Sequence, residues 1–163
     1  MKIGVSGTHG TGKSYTLYEL ANKYKIKYPN KEVTVVTEVA RQCPFEINQD
    51  ASLNAQIWMI AKQTQMELEA ENNCDIVITD RCISDYLAYT KYQYEEFFYR
   101  FLPYLKYYVS TYDRIYYKSL ENNQYMVDDG IRATDKIFQK EIDDILKELY
   151  EILKHSVKDL ITL

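Results

Sequence analysis

Eight consecutive residues near the amino end, Gly7-Thr8-His9-Gly10-Thr11-Gly12-Lys13-Ser14, constrain this chain more than any other feature. They fill every fixed position of G-x-x-x-x-G-K-[ST], a loop whose backbone N–H groups converge on phosphate. Each residue type has a task. Gly7 and Gly12 allow the backbone to turn where a Cβ would clash. Lys13 brings a compact positive charge to the β/γ-phosphates, and Ser14 offers a hydroxyl to Mg2+. The following helix adds its N-terminal dipole to the same anion. Thr8, His9, Gly10, Thr11 and Thr16 complete the expected nucleotide-binding set, with His9 either touching phosphate or facing solvent.

Such a loop needs a buried strand before it and a helix after it. Met1–Ser6 is a short, mostly apolar run that suits the strand, and Leu17, Leu20, Ala21, Tyr24 and Tyr28 recur at helical spacing from Lys13 to Tyr28. Pro29-Asn30 stops that helix. Strands and helices then alternate, the pattern of a parallel sheet with helices on both faces. Glu32–Thr37 reads as a second strand, and Arg41–Asp50 as a loop containing Pro44. Ser52–Glu71 reads as a helix with Leu53, Ile57, Ile60, Ala61, Thr64 and Leu68 on one face. Asp75–Thr79 is the third strand, and Ser84–Tyr112 is mainly helical with an interruption near Pro103. Arg114–Lys118 is the fourth strand. Ser119–Arg132 forms a polar lid loop. A helix capped by Thr134 runs to about Lys154, with Phe138, Ile142, Ile145, Leu149 and Ile152 inside, and Val157–Leu163 closes the chain as a fifth strand.

Residues 1–163 therefore read as one α/β domain. A formal charge of −4 argues against a broad electrostatic grip on nucleic acid. No run of 18 apolar residues and no signal pattern occurs, so the expectation is a cytoplasmic protein without a membrane partner. Cys43, Cys74 and Cys82 lack C-x-x-C spacing and read as free thiols. Seventeen tyrosines crowd mainly between Tyr86 and Tyr125. They read as half-buried residues of amphipathic helices, with base stacking as the alternative.

Three further clusters follow strand ends, where ligands bind in an open parallel sheet. Asp80, at the end of an apolar strand, is the expected second Mg2+ group, and Arg81 is a phosphate or substrate clamp or else an ion-pair partner of Asp85. Glu38 is the candidate base for an acceptor hydroxyl, with Arg41 holding the acceptor or the leaving phosphate; the other reading is a structural Glu38–Arg41 pair. Asp128-Asp129-Gly130-Ile131-Arg132 would bring Arg132 to the transferring phosphoryl group on a closing lid, or leave it solvated. The catalytic set is thus Lys13, Glu38, Asp80, Arg81 and Arg132, and the substrate set is Glu38, Arg41, Arg81 and Asp85. The guanine-reading N-K-x-D motif is absent, and 163 residues leave little room for the extra lid domain of ring-forming ATPases.

Together these clusters resemble the small P-loop domains, often labelled AAA-type ATPases, that are related to the nicotinamide riboside kinase domain and more distantly to thymidylate and deoxynucleoside kinases, many from bacteria and phages. The resemblance spans most of the chain. It implies a three-layer P-loop NTPase fold with a five-stranded parallel sheet in order 2-3-1-4-5. It also implies ATP and Mg2+ as cofactors, with an acceptor between the Glu38 and Asp80 regions. The chain departs from thymidylate kinases in length, in Glu38-x-x-Arg41 and in its single lid arginine.

Three functions follow as expectations. The first is an ATP-dependent kinase of a nucleoside- or nucleotide-like small molecule. The second is a DNA kinase like the phage relatives that act on 5-hydroxymethyluracil in DNA, gripping the strand through Lys91, Arg100, Lys106, Arg114 and Lys118. The third is a regulatory ATPase in which Glu38 positions water. A homodimer is a further candidate assembly.

Overall fold

The computed structural model describes residues 1–121 and 135–163. Its centre is a five-stranded, all-parallel sheet in the order β2-β3-β1-β4-β5. The strands are β1 (Lys2–Ser6), β2 (Val33–Val36), β3 (Ile76–Asp80), β4 (Arg114–Tyr117) and β5 (Leu160–Thr162). The helices are α1 (Lys13–Lys27), α2 (Leu53–Asn73), α3 (Ile83–Gln93), α4 (Glu95–Val109) and α5 (Lys136–Leu153). Two short 3-10 turns, Val39–Gln42 and Asn48–Asp50, lie within the segment expected to be a loop.

Both faces of the sheet are covered, as a parallel sheet requires. On one face Ile3, Val5, Ile76 and Ile78 pack against Leu17, Leu20 and Tyr24 of α1. On the other, a larger core joins Met59 and Ile60 of α2, Leu87 of α3, Phe98 and Leu105 of α4, and Ile142 and Leu146 of α5. Truncating one of these, such as Leu87 to Ala, would cost about 2–5 kcal/mol. The register sets Ile3 opposite Ile78 and Gly4 opposite Ile115, so the carboxyl ends of β1 and β3 emerge side by side.

The structure corrects several expectations. The break in the long helical stretch falls at Tyr94, and Pro103 lies inside α4. Tyr94 leaves helical geometry (φ −139°, ψ 61°), yet its N–H bonds the Thr90 carbonyl and its own carbonyl takes the Phe98 N–H. Pro103 removes the N–H that would meet Tyr99, and Tyr99 is on the exposed side, where water can serve instead. The buried face of α2 is Ala55, Gln56, Met59, Ile60, Gln63 and Glu67, while Ile57 and Leu68 are exposed. This is a rotation of about 100°, one residue step, from the expected face. On α5, Ile152 is likewise exposed and Leu146, Tyr150 and Leu153 are buried. Asp135 caps α5 through the N–H groups of Ile137 and Phe138, and the expected cap Thr134 lies outside the described residues. Strand β5 is shorter than the expected Val157–Leu163. Among the described residues no helix is long and apolar enough to cross a membrane.

Candidate active site

The loop after β1 adopts the conformation its glycines permit. Gly7 has φ 146°, and a Cβ there would stand 2.7 Å from the Lys118 carbonyl oxygen. Gly12 caps α1 in the left-handed region (φ 74°). Thr11 donates to the Thr8 carbonyl at 3.0 Å, and Gln139 of α5 donates to the His9 carbonyl at 2.6 Å. The His9 ring lies 3.3 Å from the Thr8 hydroxyl and 3.1 Å from the Tyr89 hydroxyl through Nδ1. Thr16, expected to contact nucleotide, is buried with its hydroxyl accepting from Lys118 Nζ at 3.0 Å.

Lys13 is buried and donates to the Thr8 carbonyl at 2.6 Å. Burial, and then the nearby Arg81 charge, bring its pKa down to about 8, against the opposing pull of Asp85, Asp80 and Glu38. Those four charges all act on the loop lysine. The Ser14 hydroxyl donates to Asp80 Oδ2 at 3.1 Å. Octahedral Mg2+ binds oxygens at 2.0–2.1 Å, which puts adjacent ligands about 2.9 Å apart. The Ser14–Asp80 pair matches one edge of such a shell, so these two residues could hold the ion.

Arg81 is the only described residue other than glycine with positive φ, at 78°. That conformation costs roughly 1–2 kcal/mol. It turns the guanidinium toward Glu38, whose Oε1 accepts from Arg81 Nε at 2.8 Å. Both side chains are buried, with relative exposures of 6% and 8%. Burial alone would lower the Arg81 pKa, but the Glu38 carboxylate keeps it well above the ordinary value. The guanidinium also lies 5.5 Å from the Tyr89 ring centre, and its Nη1 is buried without a hydrogen-bond partner among the described residues. Arg41 approaches Glu38 Oε2 at 3.8 Å and is more exposed. Both sequence readings of these residues thus meet in one Arg81–Glu38–Arg41 cluster, with Glu38 replacing Asp85 as the partner of Arg81.

Asp85 was expected to touch substrate. It is fully buried, and its oxygens accept from the Ser6 hydroxyl (3.1 Å), the Gly7 N–H (2.7 Å) and the Cys82 N–H (2.6 Å). Burial raises its pKa, against the pull of Arg81, Lys13 and those N–H groups. Its place is under the loop, tying β1 to the start of α3. Arg132 and the Asp128–Gly130 segment lie outside the described residues. Of the five cations considered for a DNA groove, Lys91 pairs with Glu148, Arg100 with Glu96 and Arg114 with Asp159, Lys118 is buried, and Lys106 is exposed on α4.

Beside the loop opens a cleft bounded by His9, Glu38, Arg41, Gln56, Arg81 and Tyr89, with Ala40, Ile47, Met59 and Tyr86 as apolar wall. Gln56 and Tyr89 were not foreseen. Gln56 is 1% exposed; its amide donates to Gln93 at 2.8 Å, and its carbonyl oxygen has no hydrogen-bond partner among the described residues. A signal existed: Gln56, Gln63 and Glu67 fall within about 40° of one another on a helix. A buried polar stripe of that kind belongs to a site or a network.

The sequence model of the AAA_28 family, described as an AAA domain, matches residues 2–162. No curated protein matches this sequence. Among solved structures, a thymidylate kinase from Ehrlichia chaffeensis superposes with a TM-score of 0.67 and 19% identity, covering 100% of this chain and 91% of its own. A deoxyadenosine kinase from M. mycoides with bound dATP gives 0.63 and 17%, over 100% and 90%. The same enzyme with dCMP and dCDP bound gives 0.65 and 16%, over 100% and 89%. At such identities the likeness is one of fold, and it agrees with the strand order expected from the sequence.

Proposed function

This chain belongs to the AAA_28 family of AAA domains, and we propose that it is an ATP- and Mg2+-dependent kinase that transfers the γ-phosphate to a hydroxyl of a nucleoside- or nucleotide-like acceptor. One observation carries the reading. Lys13 lies within the electrostatic reach of Arg81, Asp80 and Glu38, and the last of these opens on a part-apolar cleft. A switch or a plain ATPase needs the phosphate loop. Glu38 could position water in an ATPase as well, but a part-apolar cleft beside it suits an organic acceptor, for which hydrolysis has no need.

On this reading Lys13 and the loop N–H groups hold the β/γ-phosphates. Ser14 and Asp80 would hold Mg2+, whose charge would offset that of the phosphates. The acceptor hydroxyl gives its proton to Glu38 as its oxygen bonds the γ-phosphorus, and the bond to the ADP oxygen breaks. Arg81 stabilises the charge that develops on the transferring group, with Arg132 as the candidate lid cation. Ile47, Met59, Tyr86 and Tyr89 suit the faces of a planar base, and the Gln56 carbonyl oxygen suits one of its N–H donors.

Incubation with γ-labelled ATP, Mg2+ and a panel of nucleosides, nucleotides and hydroxymethyluracil-containing DNA tests this. Label on a free nucleoside or nucleotide is the expected result. Label released only as phosphate, at a rate indifferent to every acceptor, would overturn it in favour of an ATPase. Label on DNA, with binding that weakens steeply in salt, would transfer the reading to the DNA kinase.

A further inference from the structure

The strained Arg81 peptide is held by residues that lie outside the cleft. Its N–H donates to the Val5 carbonyl at 3.0 Å. Its carbonyl accepts from Gln63 Nε2 of α2 at 3.3 Å. Gln63 is fully buried, and the same amide nitrogen donates to Glu67 Oε1 at 2.7 Å. Its own carbonyl faces the Tyr86 hydroxyl at 3.4 Å. The amide can therefore point only one way: two protons meet two acceptors and one acceptor meets a hydroxyl. Glu67 is fixed in turn by Lys2 at 3.4 Å and by the Tyr112 hydroxyl at 2.6 and 2.8 Å. All of these groups are buried, so each lost partner would be felt.

We propose that Gln63, anchored by Glu67, is a positioning residue that holds the Arg81 backbone in its left-handed conformation and so aims the guanidinium at Glu38 and the transferring phosphoryl group. The inference rests on the kinase reading of Arg81. Packing alone does not call for a polar amide in the middle of the α2 core face, where an apolar side chain of similar length would need no partners; the Gln63 amide joins the buried Glu67 carboxylate to the Arg81 carbonyl. Released from Gln63, the Arg81 carbonyl would lose its partner and the peptide would relax toward ordinary φ. The guanidinium would then swing away from Glu38.

The test is a double-mutant cycle read in kcat, with ATP affinity and thermal unfolding measured beside it. Gln63→Met keeps the volume and removes the hydrogen bonds. It should lower kcat roughly tenfold while leaving ATP affinity unchanged. In an Arg81→Ala background the same substitution should lower kcat no further, because its effect passes through Arg81. An unchanged kcat for Gln63→Met, or an equal fall in both backgrounds, would overturn the inference. Should Gln63→Met fail to fold, Tyr86→Phe removes only the hydroxyl facing the Gln63 carbonyl. Its smaller fall, a few-fold, should likewise vanish in the Arg81→Ala background, and its persistence there would overturn the inference. If Arg81→Ala alone keeps full kcat, the kinase reading of Arg81 fails. If Arg81→Ala is impaired and Gln63→Met is not, only the positioning role fails.

Discussion

The two sides of the cleft are built in opposite ways. The proposed phosphate side is eight consecutive residues that would work through backbone N–H groups, with Gly7 at φ 146°, where other residues rarely go, and Gly12 in the left-handed region that favours glycine. The proposed acceptor side is assembled from Glu38 after β2, Gln56 on α2, Arg81 after β3 and Tyr89 on α3. The first is a local shape held from beneath by Asp85. The second centres on one buried ion pair, Arg81 with Glu38, in which each charge offsets the burial of the other. A backbone cradle fixes which anion is bound, whereas a side-chain pocket can be retuned for a new acceptor without disturbing the cradle.

The largest way to break this comparison is Lys13→Ala, which should cut phosphoryl transfer roughly a thousandfold by removing the charge from the cradle. Retained activity, followed with labelled ATP, would show that the loop is not the working anion site. Next comes Asp85→Ala. It strands the Ser6 hydroxyl and the Gly7 and Cys82 N–H groups together in the core. Chemical denaturation should report a loss of about 3 kcal/mol, and a loss below 1 kcal/mol would deny Asp85 its place as the support of the loop.

A smaller effect sharpens the electrostatic half. With the Lys13 pKa lowered to about 8, the amine is charged below that pH and neutral above it in the free protein. Bound triphosphate restores the charge, so above pH 8 ATP must bring a proton with it. ATP affinity should fall about tenfold between pH 7 and pH 9, measured by calorimetry. The slope should disappear in Lys13→Ala, and an affinity flat over that range in the parent protein would contradict the assignment. The smallest effect lies far from both sides: Arg114→Ala breaks a surface pair with Asp159 and should change stability by less than about 1 kcal/mol and leave transfer unchanged. A clear loss of transfer would bring the edge of the sheet into the site.

Much of this was readable from residues close in sequence. The loop, β1 and α1 follow from one motif and its flanks, and the alternation of strands and helices gave a parallel sheet whose order agrees with the resemblance. What escaped depends on distant partners. Hydrophobic periodicity placed Ile57 and Leu68 inside α2, whereas the helix turns Gln56, Gln63 and Glu67 inward because Gln93, Arg81, Lys2 and Tyr112 satisfy them there. The structure sets Asp85 beneath the loop and Arg81 in the wall of the cleft. Their partners were not legible, since Asp85 spends its oxygens on β1 and α3 while Glu38 crosses from another strand to meet Arg81. Pro103 drew the helix break to itself, but a single missing N–H on an exposed turn was tolerated and Tyr94 took the break.

The two sides are joined in one claim, that Glu38 serves transfer and not ATP binding. Glu38→Gln keeps the shape and removes the charge. ATP binding with Mg2+ should stay within about twofold while transfer to the nucleoside acceptor falls roughly a hundredfold. A transfer rate equal to that of the parent protein would contradict the account.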